Sequence, residues 1–260
     1  MKPSVSRVLA AVLSLMAIPG CSIKEERDEC PCRLFLDLQS VDRIDQTPCL
    51  LRIISDDGFE YSTVIGGRDF QDTYIIDVPR TGLDVVVWSG ADGYMDEQGI
   101  SIPLGNGCPP VYVHSSRVDA AGESVCDTIC LRKNYCILNV SVDSPAGVAG
   151  MMVRGEVDGY DRTGNPHNGE FRIYFQSDAS NFASGRFNIP RQDDRSLYLD
   201  VFESDGMVKT FPLHEYISAF GYDWEERDLN DLNMHLNYTA AGVVVSVKVW
   251  DEEFVIDVVI

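Results

Sequence analysis

Short runs of β-branched and aromatic residues, separated by turn residues, dominate the hydrophobic pattern of the chain. The first half contains CRLFLDL, CLLRII, EYSTVI, TYIIDV and LDVVVW, followed by PVYVHSS, SVCDTICLR and YCILNVSV. The second half continues with GMMVRGEVDGY, GEFRIYFQS, GRFNIP and SLYLDVF. Runs of this length and composition are typical of strands. The pattern therefore predicts a chain built mostly from β-strands.

Two Asp-Gly pairs predict β-hairpins. Asp57-Gly58 lies between LLRIIS and FEYSTVI, and Asp205-Gly206 lies between SLYLDVFES and MVKTF. Such pairs favour a type I′ turn, which needs positive φ at both central residues. Pro79 and Gly82 in VPRTGLDV indicate a further tight reversal.

Two segments lack strand signals and are interpreted as loops. Residues 90–109, GADGYMDEQGISIPLGNGCP, are rich in glycine and proline and are expected at the surface. Residues 191–195, RQDDR, are expected to form a solvated loop.

One segment predicts a helix, and the closing segment predicts strands. PLHEYISAF begins with Pro212, a residue favoured in the first helical turn, and Gly221 follows it. Near the end, Val243, Val245, Val247 and Val249 alternate with Ser246 and Lys248, so the valines should share one face of a strand.

Together these elements predict an all-β fold. Strands with turns about every 8–12 residues and a single short helix favour antiparallel sandwiches over βαβ units. The length suits two tandem β-sandwich domains, residues 30–133 and residues 134–260, with the helix in the second. The junction is expected between Arg132 and Tyr135, with almost no linker.

The first twenty residues have the layout of a secretory signal peptide. Lys2 and Arg7 precede an uncharged apolar run from Val8 to Ile18. This run is shorter than the roughly 20 residues that a membrane helix needs. It ends at Gly20-Cys21, which resembles a bacterial lipobox, so Cys21 is predicted to carry covalent acyl chains such as palmitate. The alternative is an incidental cysteine near a conventional cleavage site.

Residues 21–29 are interpreted as a polar, acidic tether. Lys24, Glu25 and Glu26 follow the lipid cysteine directly and resemble the export signal that sends lipoproteins of Bacteroidota to the outer leaflet. The alternative is a solvated charged tether that carries no export signal.

The formal net charge of the chain is −20. Loss of the signal peptide would remove two basic residues and no acid, which makes the mature chain more acidic still. Nucleic acid and anionic membrane surfaces would repel such a chain, so neither is expected as a partner.

All eight cysteines lie in the first 136 residues. With Cys21 acylated, seven remain, so at least one thiol should stay free even where export permits disulfides. No histidine stands at zinc-finger spacing, and no metal or other cofactor is expected. The remaining seven are Cys30, Cys32, Cys49, Cys108, Cys126, Cys130 and Cys136.

Nothing in the sequence indicates an enzyme. The four histidines, at positions 114, 167, 214 and 235, share no spacing, and no phosphate-binding, zinc-protease or serine-hydrolase motif occurs. Acidic residues at 56–57, 92, 96–97 and 193–194 could ligate calcium but are interpreted as turn residues. Trp88, Trp224 and Trp250 are expected to anchor the core or a domain interface rather than to bind sugars.

These features resemble the FimB-like fimbrial anchor subunits of Bacteroidales, the basal lipoproteins of type V fimbriae. The likeness lies in Cys21, the short acidic tether, Cys30-Pro31 before RLFLDL, the hairpin LLRIISDDGFEYS, the junction TICLRKNYCILNVSV and the closing VKVWDEEFVIDVVI. The resemblance implies two transthyretin-like, Greek-key β-sandwiches and attachment to the cell outer membrane through the lipid. It also implies a non-enzymatic role at the base of a fimbria, with a stalk subunit as partner and no small-molecule substrate.

The resemblance also implies a mechanism based on strand exchange. In stalk subunits of the family a protease removes the first strand, and a neighbour's strand refills the groove. In this chain, cleavage after Arg27 would cut the tether, so the chain is expected to keep its own first strand, CRLFLDL. The terminal EFVIDVVI is either a donor or edge strand, or an ordinary closing strand of the second sandwich.

Two other functions stay open. A stalk or tip subunit, an adhesin of the same system, would also be a lipidated double sandwich, but with a long removable segment before its first strand. A glycan-binding surface lipoprotein would instead expose aromatic residues such as Trp88 or Trp224.

Overall fold

The computed structural model describes residues 30–41, 48–66, 71–91, 93–192, 195–239, 242–249 and 252–258. The predicted signal peptide, Cys21 and the triplet Lys24, Glu25 and Glu26 lie outside these residues and stay predictions. No helix within the described ranges is both long and apolar enough to span a bilayer.

The first part of the chain contains nine strands, and all but the sixth form two sheets. Its strands are β1 (Cys32–Asp37), β2 (Cys49–Ser55), β3 (Glu60–Ile65), β4 (Thr73–Val78), β5 (Gly82–Ser89), β6 (Gly99–Ser101), β7 (Tyr112–Asp119), β8 (Ser124–Thr128) and β9 (Arg132–Lys133). One sheet has the order β4-β1-β8, and the other has the order β3-β2-β5-β7-β9.

The second part forms one large sheet and a short helix. Its elements are β10 (Tyr135–Asp161), β11 (Pro166–Pro190), β12 (Tyr198–Glu203), β13 (Val208–Phe211), α1 (Leu213–Ala219), β14 (Leu232–Thr239), β15 (Gly242–Val249) and β16 (Glu252–Val258). The sheet runs β13-β12-β10-β14-β15-β16, and both β11 and β6 pair with β10. The all-β prediction with one short helix is confirmed for the described residues.

Both hairpins form, but not with the predicted turn. Gly58 and Gly206 have φ of 91° and 87°, whereas no Asp among the described residues has a positive φ. In the first hairpin Ser55 N donates to Phe59 O at 2.9 Å, which closes a three-residue loop. This is a type I turn followed by a left-handed glycine, rather than type I′.

The other local predictions have mixed outcomes. The helix starts directly after Pro212, and Gly221 behind it has φ of 72°. Val245 and Val247 are buried while Ser246 is partly exposed, as the alternation predicted. The reversal at Pro79 and Gly82 carries the chain from β4 in one sheet to β5 in the other. It therefore forms no hairpin.

The sheets are mixed rather than purely antiparallel. Strand β1 runs parallel to β8, and β10 runs parallel to β14, whereas the other paired strands are antiparallel. Parallel partners need long connections, and here 86 residues separate Asp37 from Ser124 in the chain. Local turn signals cannot reveal such pairs.

The surface-loop prediction for residues 90–109 is wrong at β6 and at several buried positions, whereas residues 96–98 and 103–106 are exposed loop. Ile100, Ile102 and Cys108 are at most 3% exposed. β6 pairs with the end of β10, where Tyr160 faces Ile100. A Cβ added to Gly99 would lie 2.1 Å from the Tyr160 carbonyl oxygen, so glycine permits this close approach.

The solvated-loop prediction for residues 191–195 is also wrong at its start. Arg191 is partly buried and Gln192 is only 3% exposed. The Gln192 amide donates to the Val157 carbonyl at 3.1 Å and accepts from the Val157 N–H at 3.3 Å. Both residues fill polar positions inside the fold, and Asp193 and Asp194 lie outside the described residues.

Two hydrophobic clusters form the core. The first lies between the three-stranded and five-stranded sheets and includes Leu34, Leu51 and Val85. The second lies against the large sheet but takes Trp88 and Val113 from the five-stranded sheet. Both faces of that middle sheet are therefore buried, and the predicted boundary near residue 133 is crossed by one continuous cluster.

Buried thiols make the stability of the protein sensitive to alkaline pH. Burial raises the pKa of the Cys136 thiol to about 12, against about 8.5 for an unfolded thiol. The stabilisation from the neutral thiol is complete below the unfolded pKa and is lost as the pH rises toward the folded pKa. Urea titrations should show the free energy of unfolding falling by on the order of 1 kcal/mol per pH unit above about pH 9 from this group.

A cysteine variant provides the control for this pH dependence. Cys136→Ala should make the fall in stability with rising pH shallower. It should not abolish the fall, because burial also raises the pKa of Tyr160 and that phenol remains. An unchanged slope in the variant would contradict the assignment to Cys136.

Candidate functional site

The first strand occupies the centre of its sheet. β1 pairs with β4 on one side, with Leu34 opposite Ile76, and with β8 on the other, with Leu34 opposite Val125. The backbone is bonded on both sides beyond the ladder itself, because Arg33 N donates to Glu123 O and Leu38 N donates to Asp72 O. The strand thus fills a groove between two other strands.

Alternate side chains of β1 seal this groove from inside. Cys32, Leu34 and Leu36 are fully buried, whereas Arg33 is exposed and Phe35 is partly exposed. The buried side chains belong to the same cluster as Leu51 and Ile53 of the facing sheet. This alternation is the pattern of a strand with one face in the core.

The last described strand lies at a sheet edge. β16 pairs antiparallel with β15, with Phe254 opposite Val247. No further strand follows it in the sheet among the described residues. Within the described ranges, EFVIDV therefore closes its own sheet and leaves its outer side unpaired.

A buried polar cluster fixes the chain where β9 passes into β10. The Tyr160 hydroxyl donates to the Asn134 carbonyl and accepts from Arg191 N at 2.9 Å. Arg191 Nε donates to Asn134 Oδ1 at 2.6 Å, and its Nη1 donates to the Trp224 carbonyl. Burial raises the pKa of Tyr160 well above its usual value. The cluster ties the junction residue Asn134 to the large sheet.

The histidine that sits among a serine and an acid does not form a catalytic triad. His114 Nε2 contacts both Ser116 Oγ at 3.2 Å and Asp127 Oδ2 at 3.1 Å, while its Nδ1 accepts from Cys130 N. The lone pair of Nδ1 is thus taken by a backbone N–H. In a catalytic triad Nδ1 would instead donate a hydrogen bond to the acid. Burial alone would raise the pKa of Asp127, but hydrogen bonds from His114 and Ser116 outweigh it and lower that pKa.

A second constellation, missed by the sequence analysis, has the connectivity of a triad. Ser141 Oγ lies 2.9 Å from His235 Nδ1, and His235 Nε2 lies 3.1 Å from Asp143 Oδ2. Register pairing across the parallel strands β10 and β14 brings them together. Both strands are paired on each side, so backbone N–H groups lie in the ladders instead of forming an oxyanion hole. The arrangement supports hydrogen bonding rather than acyl transfer.

Two of the three tryptophans lie in the core, as expected. Trp88 is 2% exposed and Trp224 is 3% exposed, which excludes these two as sugar-binding platforms. Trp88 packs on Tyr160, with ring centroids 6.0 Å apart. Trp250 lies outside the described residues.

Two of the acidic residues considered as calcium ligands act in turns. Asp57 accepts hydrogen bonds from Ser55 Oγ and Phe59 N, and Asp96 accepts from the backbone of Gln98 and Gly99. Within the described part of the chain no group of three His, Cys, Asp or Glu side chains is placed to share a metal ion. Asp92 lies outside it.

The seven described cysteines differ in their burial. Cys30 and Cys126 are exposed, Cys130 is partly exposed, and the other four are buried. Burial raises the pKa of Cys32 and Cys108, so these thiols stay protonated and inert.

Comparison with known proteins identifies the fold. No family model and no curated protein matches the chain. Among solved structures, the fimbrial anchor protein Mfa2 of Porphyromonas gingivalis has 14% identity and a TM-score of 0.65, with 88% of this chain and 100% of that chain covered. A candidate polysaccharide-binding protein of Bacteroides thetaiotaomicron has 13% identity and a TM-score of 0.61, with coverage of 86% and 98%. A candidate adhesin of Bacteroides ovatus has 9% identity and a TM-score of 0.60, with coverage of 87% and 96%.

These likenesses show a shared fold. The chain has the β-sandwich architecture of fimbrial and adhesin proteins of Bacteroidales, and its structural neighbours include a fimbrial anchor protein. The predicted resemblance is confirmed at that level. The neighbours named here are described by their fimbrial, adhesive or polysaccharide-binding roles, and none is described as an enzyme.

Proposed function

We propose that this chain is an outer-membrane lipoprotein that anchors the base of a fimbria and terminates its assembly. The observation that carries the proposal is the position of β1, which fills the groove between β4 and β8 with residues of the same chain. A groove that is already filled cannot accept a donor strand from another subunit. The fold shared with a fimbrial anchor protein supports the same role.

Lipid on Cys21 would supply the attachment to the membrane. Each buried methylene contributes about 0.8 kcal/mol, so two or three acyl chains anchor a protein stably where one does not. Lys24, Glu25 and Glu26 would direct the lipoprotein to the surface-exposed leaflet. The location would then be the cell outer membrane at the base of the fimbria.

The outer edge of β16 is the surface that would contact the first stalk subunit. An exposed edge presents unpaired N–H and C=O groups to which an extended segment of a partner can add. Growth would then proceed from this edge, while the filled groove between β4 and β8 accepts no donor strand.

The proposal is tested by the N-terminus of the mature protein and by its location. Intact-mass analysis of protein from outer membranes should show a chain that begins at acylated Cys21 and still contains β1. Cys21→Ala should release the protein from the membrane fraction and release fimbriae into the medium. A mature chain that begins after residue 38 would instead identify a stalk or tip subunit.

Site-specific crosslinking tests the partner edge without disturbing the fold. A photo-reactive residue at Val255 in β16 should yield an adduct with a stalk subunit in cells that carry fimbriae. The same residue at Ser62 in β3, another edge strand, is the matched control and should yield none. Equal adducts at both sites, or none at Val255, would contradict a role for this edge.

The second candidate function is glycan binding by a surface lipoprotein. It is favoured by the fold shared with a candidate polysaccharide-binding protein. The buried positions of Trp88 and Trp224 remove the platform first considered for it.

A further inference from the structure

A cleft opens on the large sheet where β12 stops pairing with β10. Its volume is about 630 Å³. The last paired residues are Arg154 and Tyr198, and beyond them β10 bulges twice, between Gly155 and Val157 and between Val157 and Gly159. Bulges of this kind frequently lie beside functional sites because they re-aim side chains. The polar lining consists of Arg154, Glu156, Asn168, Glu170, Ser196 and Tyr198.

The guanidinium of Arg154 is held in a fixed plane at the side of this cleft. Its Nε donates to Asp200 Oδ2 at 2.9 Å, and its central carbon lies 4.5 Å from the centroid of the Tyr198 ring. Asp200 is 6% exposed and also accepts from Thr210 Oγ1 at 2.6 Å. No other described residue bonds to the terminal nitrogens of Arg154. These nitrogens are oriented donors for a ligand.

The backbone beside the cleft is closed to an added peptide strand. The Gln192 side chain bonds both the N–H and the C=O of Val157, in the place that the next strand would take. A Cβ added to Gly155 would lie 2.1 Å from Gln192 Oε1, so the Gln192 side chain can take this position only because residue 155 is glycine. Recognition here must therefore use side chains, not main-chain pairing.

The charges in the cleft disfavour an anionic ligand. Arg154 is paired with Asp200. Glu170 of the lining is paired with Arg172, which lies outside the lining and whose Nη2 is 2.6 Å from Glu170 Oε1. Glu156 has no cationic partner among the described residues, and the whole chain carries a net charge of −20. Nucleic acids and acidic polymers are repelled by such a surface.

We propose that this cleft binds a neutral oligosaccharide. Guanidinium, carboxylate, amide and hydroxyl groups together supply both donors and acceptors, which suits a ligand dense in hydroxyl groups. The Tyr198 ring already packs against Arg154 and His214, so polar groups rather than ring stacking would hold the ligand. The volume falls within the range of small-molecule sites. This inference does not rest on the anchor function, because the cleft is separate from both β1 and β16.

Saturation-transfer NMR and titration of the purified mature protein test the proposal. The probes are three neutral oligosaccharides, namely lacto-N-neotetraose, mannopentaose and xylohexaose, with tetragalacturonate as an acidic comparator. At least one neutral probe should show transfer. Arg154→Lys keeps the charge but loses the planar fork, so it should raise the dissociation constant of that probe about tenfold or more.

Arg172→Lys is the matched control, since Arg172 lies opposite Arg154 on β11 and does not line the cleft. It should change the dissociation constant less than about twofold, and thermal melts should show both variants folded. Absence of transfer from all three neutral probes would overturn the proposal. Binding of the acidic comparator alone, or equal effects of the two substitutions, would overturn it as well.

Discussion

Leu36→Ala is expected to lower the free energy of unfolding by about 2–5 kcal/mol. The reason is that Leu36 is fully buried, in a strand that is paired on both sides. Removing three carbon atoms loses the favourable free energy of transferring them out of water. It also leaves a cavity, which the neighbouring strands cannot close because their pairing holds them in place. Urea unfolding followed by circular dichroism measures the loss.

Arg33→Ala is the control for Leu36→Ala, because it lies in the same strand but faces solvent. It should change the free energy of unfolding by no more than about 0.5 kcal/mol. Similar losses in the two variants would mean that β1 does not occupy its groove in solution. That result would remove the support for a self-filled anchor subunit.

Trp88→Ala is expected to lower the free energy of unfolding by about 3–5 kcal/mol. Trp88 is 2% exposed on β5. It packs on Tyr160 in the hydrophobic cluster that also includes residues of the large sheet. The substitution removes the largest side chain that the middle sheet contributes to that cluster. Differential scanning calorimetry measures the effect on the whole chain.

The calorimetric trace also tests how the two halves are coupled. Because one cluster spans the predicted boundary, the unmodified protein should unfold in a single transition, and Trp88→Ala should lower or split that transition. Trp88→Phe keeps an aromatic ring and should cost distinctly less. Two separate transitions in the unmodified protein would show that the halves are independent.

Local signals in the sequence were sufficient for much of the fold. Asp57-Gly58 and Asp205-Gly206 mark hairpins, and Pro212 and Gly221 mark the helix, because turn and cap chemistry depends on neighbouring residues. The turn type was wrong since only the glycines adopt positive φ. Likewise, the alternation of apolar and polar residues in β1 is enough to place one face of the strand in a core. It does not show that the strand lies between β4 and β8.

Pairing between distant segments was not predictable from one sequence. β6 is three residues long and carries no strand pattern, yet it pairs with β10 about 60 residues later. The parallel pair of β10 and β14 brings Ser141 beside His235, and the bulges of β10 create the cleft at Arg154. Such sites depend on register, which single-chain patterns specify only weakly.

The central place of β1 constrains when the fold can be completed. β1 is the first strand among the described residues, but its parallel partner β8 ends about 90 residues later. At about 5–20 residues per second, the ribosome delivers that partner roughly 5–18 s afterwards. During this interval Leu34 and Leu36 have no complete groove, and contacts of such long sequence separation form slowly. The nascent chain is therefore most exposed to aggregation at its first strand, which is where a holdase chaperone would be needed.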